Sequence, residues 1–128
     1  MTKRILVIED TEDNRRIIRD LLTSAGYEIL EALSGEEGVA MAAQHRPDLI
    51  LMDIQLPELD GYEATRQIKA QPALRHIPVI AVTSYALSGD EAKTRAAGCD
   101  AYIAKPFSPR QLLAKVRELI GLSDAAHV

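Results

Sequence analysis

The chain has 128 residues, a formal net charge of -4 and 47% hydrophobic residues, which is the balance of one globular domain. Its basic residues are scattered, so no basic run indicates a nucleic-acid-binding surface. The N-terminal MTKRILVIED meets acidic residues before a signal-peptide core forms, and no apolar stretch reaches the roughly 18 residues of a membrane span. Cys99 is the single cysteine, which excludes an internal disulfide, and we expect a cytoplasmic protein.

Short apolar runs predict the strands of a parallel sheet. Three of them are near-continuous, as is typical of strands covered on both faces, whereas the second in chain order is mixed and suits a sheet edge. The five predicted strands are Ile5–Glu9, Tyr27–Leu33, Asp48–Asp53, Ile77–Thr83 and Ala101–Lys105.

Helices are predicted after each strand. The first covers Thr11–Ala25, ends at Gly26 and carries an apolar stripe made of Ile17, Ile18, Leu21 and Leu22. The others are predicted from capping patterns. The second helix begins at the capping pair Ser34 and Glu37 and ends before Pro47, and the third covers Asp60–Ala70. The fourth begins at Ser88 with Glu91 and ends at Gly98. The fifth begins at Ser108, with Pro109 at its first position and Gln111 as the capping partner.

This alternation of strand and helix predicts an α/β fold, an open parallel sheet with helices on both faces. We expect one domain over residues 1–121, and a short C-terminal tail, 122–128, that frays.

Polar residues close four of the five predicted strands. They are Glu9, Asp10, Asp53, Thr83, Ser84 and Lys105. The carboxyl ends of parallel strands meet at one edge of a sheet, so we expect these side chains to share one pocket. Crowded carboxylates repel one another unless a cation joins them. Oxygen ligands without His or Cys favour a hard ion, and Mg²⁺ accepts a site with few protein ligands.

An aspartate beside such a metal is equipped to receive a phosphoryl group as an acyl phosphate. Metal and ammonium would stabilise the transition state, and Thr83 would donate a hydrogen bond to a phosphoryl oxygen.

Four fragments in order, Glu9–Asp10, DIQLPELDG, VTS and KPF, make residues 3–120 resemble a response-regulator receiver domain of the CheY-like kind. Within that family, PDLILMDIQLPE and GCDAYIAKP are most similar to single-domain cell-cycle regulators. The resemblance implies a flavodoxin-like (βα)5 fold with a five-stranded parallel sheet in the order 2-1-3-4-5. It also implies a signalling protein of a two-component or phosphorelay pathway, with no enzymatic turnover beyond self-phosphorylation and slow self-dephosphorylation.

The resemblance further implies the role of each site residue. Asp53 would accept phosphate from a histidine kinase or a histidine phosphotransferase. Asp10 and Asp53 would bind Mg²⁺ through their side chains, Gln55 through its backbone carbonyl, and Glu9 directly or through water.

By the same resemblance, Lys105 would bind the phosphoryl group, with a cis bond to Pro106. Thr83 and Tyr102 would form a switch pair that alters protein–protein contacts. The downstream protein target would dock on the surface of the fourth helix, fifth strand and fifth helix, without nucleic acid or membrane insertion.

Three other functions share parts of this pattern. A Mg²⁺-dependent phosphohydrolase usually has a second acid near its nucleophile, where this chain has Gln55. A flavodoxin-like nucleotide or flavin binder needs a loop of small residues after the first strand to hold phosphate, and EDTEDN would repel it. A degenerate receiver acting as a static adaptor stays open at this point.

Overall fold

The computed structural model describes residues 2–84 and 90–121, and within them the strands form one parallel sheet in the order β2-β1-β3-β4-β5. The strands are β1 (Arg4–Ile8), β2 (Glu28–Ala32), β3 (Leu49–Asp53), β4 (Val79–Thr83) and β5 (Ala101–Ala104). The helices are α1 (Glu12–Ser24), α2 (Gly35–His45), α3 (Gly61–Lys69), α4 (Asp90–Ala97) and α5 (Pro109–Ile120). The expected fold and strand order are confirmed.

Two apolar layers cover the sheet, because successive side chains of a strand point to opposite faces. The layer beneath α1 and α5 contains Ile5, Val7, Leu49, Leu51, Ile80, Ile18, Leu22, Leu112 and Val116. The layer beneath α2 and α3 contains Leu6, Ile8, Ile50, Met52, Ala42, Ala64 and Ile68. Each fully buried Leu or Ile contributes about 1.5–3 kcal/mol, and β3 and β4, buried along their whole length, explain the near-continuous apolar runs.

The apolar stripe predicted for α1 is wrong at Ile17, whose exposed fraction is 60%, whereas Ile18 and Leu22 are buried. Ile18 and Leu22 are four positions apart and face the sheet together, and Ile17 is about 100° away from Ile18 around the helix axis, on the side turned toward solvent. Ile17 instead lies at the edge of a groove that also includes Phe107, Pro106 and Lys105.

The helix caps agree with the sequence in part. Ser108 and Gln111 form the full reciprocal capping box at the start of α5. At α2 the Ser34 side chain accepts from the Glu37 N–H as predicted, but the Glu37 carboxylate accepts from Leu33 N–H at 2.8 Å, one residue before the predicted donor. The capping residue Ser88 predicted for the fourth helix lies outside the described residues, as does the tail at 122–128.

The ends of several elements are shorter than predicted, and this difference places polar residues just beyond the sheet. Glu9 and Lys105 follow β1 and β5 instead of ending them, and Leu33 follows β2. Gly26 and Gly98 follow α1 and α4 with φ of +96° and +103°, a conformation that glycine adopts without strain. Along the described chain, every helix falls short of the length and apolar character that crossing a bilayer would require.

Candidate metal and active site

Three carboxylates meet at the carboxyl edge of the sheet. One oxygen from each of Glu9, Asp10 and Asp53 lies within 4.8 Å of the others. The strand register explains this meeting, because Ile8 of β1 pairs with Met52 of β3. Glu9 directly follows Ile8, and Asp53 directly follows Met52. Glu9 and Asp53 are only 2% and 4% exposed, while Asp10 is exposed. The cluster therefore has two sheltered carboxylates and one on its open side.

Donors from the first turn of α1 hold Glu9 in place. The N–H of Thr11 donates to Glu9 Oε2 at 3.0 Å, and Asn14 Nδ2 lies 3.5 Å from Oε1. The Arg15 guanidinium donates to the Glu9 backbone carbonyl at 2.9 Å and pairs with Glu31 of β2 at 3.5 Å. Sequence reasoning missed Asn14 and Arg15, although both lie in the turn of helix that follows the acidic pair.

Lys105 lies between the two sheltered carboxylates. Its Nζ is 3.4 Å from Glu9 Oε1 and 3.3 Å from Asp53 Oδ1. Its backbone N–H donates to the Thr83 carbonyl at 2.8 Å, which fixes the lysine beside the end of β4. The bond to Pro106 is cis, as expected. Both ion-pair distances exceed the 2.7–2.9 Å or so of a strong charge-assisted bond, so the ammonium is shared between the carboxylates.

Burial raises the pKa of Glu9 from 4.5 to about 7, and the charge of Asp53 and a side-chain hydrogen bond with Asp10 act in the same direction. The Thr11 N–H and the Lys105 ammonium oppose this rise but do not cancel it. One ammonium therefore leaves the cluster with unbalanced negative charge near neutral pH, which a divalent cation would relieve.

The pKa of Glu9 predicts how pH changes stability with and without Mg²⁺. Without metal, the folded protein holds a proton on Glu9 between pH 4.5 and about 7 that the unfolded chain releases, so the free energy of unfolding falls as pH rises through that window. A cation binds the ionised carboxylate, so we expect the rise in Tm caused by Mg²⁺ to be larger at pH 8 than at about pH 5.

Thermal unfolding of wild type and Glu9→Gln at both pH values checks this prediction. In the Gln variant the pH dependence of the Mg²⁺ effect should flatten. An equal Mg²⁺ effect at both pH values in the wild type would contradict it.

The donor chemistry of the cluster fits a hard divalent ion. The three clustered ligand atoms are carboxylate oxygens, and no histidine or cysteine is among them. Gln55 follows in the loop after β3, where its N–H donates to Asp53 Oδ1 at 3.0 Å and fixes that carboxylate. Oxygen ligands with one open side are what Mg²⁺ accepts while keeping several waters.

Thr83 and Tyr102 lie on the same face of the sheet. In the register of β4 and β5, Ala81 pairs with Tyr102 and Thr83 pairs with Ala104. Residues two apart point to one side of a strand, so the Thr83 side chain, which is buried, and the half-buried Tyr102 ring share that side. Ala81, which lies two residues before Thr83 on β4 and pairs with Tyr102, places the two side chains at neighbouring positions of that face.

Gly61 allows α3 to start directly against the backbone of Asp53. A Cβ built at Gly61 would lie 2.4 Å from the Asp53 carbonyl oxygen and 2.6 Å from Ile54 Cα. Backbone atoms cannot move aside as a flexible side chain does, so we expect Gly61→Ala to destabilise the fold by about 2–3 kcal/mol, the upper part of the range for overpacking.

Urea unfolding measures the effect of Gly61→Ala, with the exposed α3 residue Gln67 changed to Ala as the control. The control should stay within about 0.5 kcal/mol of wild type. A Gly61→Ala variant as stable as the control would show that the two segments can separate freely.

Comparison with known proteins places this arrangement in a family. A family model described as the response regulator receiver domain matches residues 5–117. The polar-differentiation response regulator DivK of Brucella ovis is 48% identical over 121 residues, which covers 94% of this chain and 98% of that protein.

Solved structures agree with this match. The receiver domain of a sensor histidine kinase from Pseudomonas aeruginosa, crystallised with a magnesium ion coordinated in its active site cleft, has a TM-score of 0.88 and 41% identity, covering 94% of this chain and 99% of that one. The chemotaxis protein CheY4 of Vibrio cholerae has a TM-score of 0.88 and 26% identity, covering 93% and 99%. The resemblance inferred from the motifs is confirmed.

Proposed function

This chain belongs to the response regulator receiver domain family, and from that premise we propose that Asp53 accepts a phosphoryl group from a phosphohistidine donor in a Mg²⁺-dependent reaction. The observation that carries the proposal is the meeting of Glu9, Asp10 and Asp53 within 4.8 Å, with Lys105 shared between two of them. A structural cap or turn would not need three acids and an ammonium at one point.

The transfer makes one bond and breaks one. The Gln55 N–H and the Lys105 ammonium both donate to Asp53 Oδ1. We therefore assign the other carboxylate oxygen, Oδ2, as the nucleophile. It forms a bond to phosphorus while the P–N bond of the donor histidine breaks and its electron pair stays on the imidazole nitrogen, which takes up a proton. The product is an acyl phosphate on Asp53.

The acidic cluster is the proposed magnesium site. Asp10 and Asp53 would bind the ion through side chains, Gln55 through its backbone carbonyl, and Glu9 directly or through water. Bound Mg²⁺ supplies positive charge where negative charge gathers on the transferring phosphoryl oxygens. Lys105, which already contacts Asp53, would contribute a second positive charge, and Thr83 a hydroxyl donor.

Thr83 and Tyr102 form the proposed switch pair, and their shared face of the sheet supports that role. Movement of the Thr83 hydroxyl toward the phosphoryl group would open space beside Ala81 for the Tyr102 ring. The signal then reaches the surface formed by α4, β5 and α5, where a cleft is lined by Tyr102 and by charges of both signs. The charged residues are Glu91, Arg95, Asp100, Lys115 and Glu118.

The proposed partners are a histidine kinase or histidine phosphotransferase as donor, and a downstream protein that contacts the α4–β5–α5 surface. The proposal places the protein in the cytoplasm as a signalling phosphoacceptor, with self-phosphorylation from small donors and slow self-hydrolysis as its own chemistry. The buried free thiol of Cys99 is consistent with a reducing compartment.

Incubation of the full chain with acetyl phosphate, with and without Mg²⁺, tests the proposal by intact-mass measurement. We expect one added phosphate when the metal is present and none when a chelator removes it. One added phosphate both with Mg²⁺ and with the chelator would overturn the metal role. No added phosphate under either condition would favour the static adaptor.

A further inference from the structure

The side chain of Gln55 links the phosphoacceptor loop to the end of the neighbouring strand. Its Oε1 accepts a hydrogen bond from the backbone N–H of Ser84 at 3.2 Å. Its own N–H donates to Asp53 Oδ1 at 3.0 Å. Gln55 is half-buried and Ser84 is exposed, so this contact lies at the mouth of the site.

The direction of the Ser84 N–H follows from the strand that precedes it. The Val82 carbonyl points toward β3, where it accepts from Ile54 N–H at 3.0 Å, whereas the Thr83 carbonyl points toward β5 and accepts from Lys105. Backbone groups alternate sides along a strand, so the Ser84 N–H points back toward β3. Asp53 is the last residue of β3 and pairs with Val82.

A backbone N–H that faces the strand ending in the nucleophile is the kind of fixed donor that can stabilise charge on a transferring group. In this structure that donor already has an acceptor, which is the amide oxygen of Gln55. The phosphoryl group and Gln55 would therefore compete for one hydrogen bond.

We propose that Gln55 is a displaceable stand-in for the phosphoryl group: its side-chain oxygen occupies the Ser84 N–H in the unmodified protein and gives it up when Asp53 is phosphorylated. This inference rests on the proposed function. It makes Gln55 a positioning residue that lowers the affinity of the site for a phosphoryl group, and it couples phosphorylation to release of the loop after β3 from the end of β4.

Gln55→Met removes the acceptor while keeping the length of the side chain. The net value of one hydrogen bond of this kind corresponds to a factor of about three to ten in an equilibrium constant. We therefore expect beryllofluoride with Mg²⁺, an analogue of the acyl phosphate, to bind Gln55→Met about three- to tenfold more tightly than wild type. The control is Gln67→Met on the exposed face of α3, which should match wild type.

The chemical shift of the Ser84 amide proton, measured by NMR, distinguishes competition with the phosphoryl group from a purely structural contact. In the free protein, the Ser84 amide proton should shift upfield in Gln55→Met because its acceptor is gone. In the beryllofluoride complexes of the variant and the wild type it should converge to one position. Gln55→Ala, with the same expected shift, separates loss of the acceptor from any effect of the methionine side chain.

Two results would overturn the inference. An unchanged Ser84 resonance in free Gln55→Met, or beryllofluoride affinity no tighter than that of wild type, would show that Gln55 does not mask this donor, while leaving the phosphoacceptor role intact. Wild type that binds beryllofluoride no better than Asp53→Asn would overturn the phosphoacceptor role and this inference with it.

Discussion

Replacement of Asp53 by asparagine is expected to abolish phosphate incorporation from acetyl phosphate while leaving the protein folded. The amide has no anionic oxygen to attack phosphorus, and at the end of β3 it can still accept the hydrogen bond from Gln55 N–H at Oδ1. Asparagine is close in volume to aspartate, and in this buried position it relieves part of the repulsion with Glu9. Intact-mass measurement should show one added phosphate on wild type and none on the variant.

The matched control is Asp20→Asn, which makes the same chemical change on the exposed face of α1. It should be phosphorylated at the wild-type rate. A phosphorylated Asp53→Asn variant would move the acceptor to another residue, and the assignment of the carboxylate cluster would then be wrong.

Replacement of Lys105 by methionine is expected to slow phosphorylation from acetyl phosphate by about 10² or more. This is the usual cost of removing one preorganised group that stabilises charge in a transition state. Lys105 is well placed for that role because its ammonium lies 3.3 Å from Asp53 and its side chain is 22% exposed, so water screens it weakly. Methionine keeps most of the apolar stem, so the loss reports on the charge.

Lys115→Met serves as the control, because Lys115 on α5 pairs with Glu118 and lies away from the acidic cluster. The rate of mass increase should be unchanged in that variant. A Lys105→Met rate within threefold of wild type would mean that the ammonium only neutralises the resting carboxylates and does not assist transfer.

Sequence alone was sufficient to place the carboxylates because each is a local departure from a strong pattern. Asp53 ends a fully buried apolar run, and an acid in that setting needs a compensating partner. The same reasoning located Glu9 and Lys105, which directly follow buried or half-buried strands. The parallel topology then brings these residues to one edge, so the fold and the convergence at the site follow from patterns only a few residues long.

Contacts between distant side chains were beyond the reach of that reasoning. The hydrogen bond from Ser84 to Gln55 joins residues 29 positions apart. The hydrogen bond from the Arg15 guanidinium to the Glu9 carbonyl depends on the angle at which α1 leaves β1. Ile17 was misplaced because the predicted apolar residues of α1 spread over a wide arc of the helix, and the pattern does not tell which edge of that arc turns away from the sheet. That choice depends on how α1 lies on the sheet, a property of tertiary packing.

The central claim is that Glu9, Asp10 and Asp53 hold a divalent cation beside the phosphoacceptor, and the most direct measurement is a crystal structure with Mn²⁺ in place of Mg²⁺, located by its anomalous scattering. We expect one ion in the acidic cluster with oxygens of Asp10 and Asp53 within bonding distance, near 2.1 Å or slightly longer, about as for Mg²⁺. An ordered ion bound elsewhere, with the three carboxylates making no contact to it, would contradict the account.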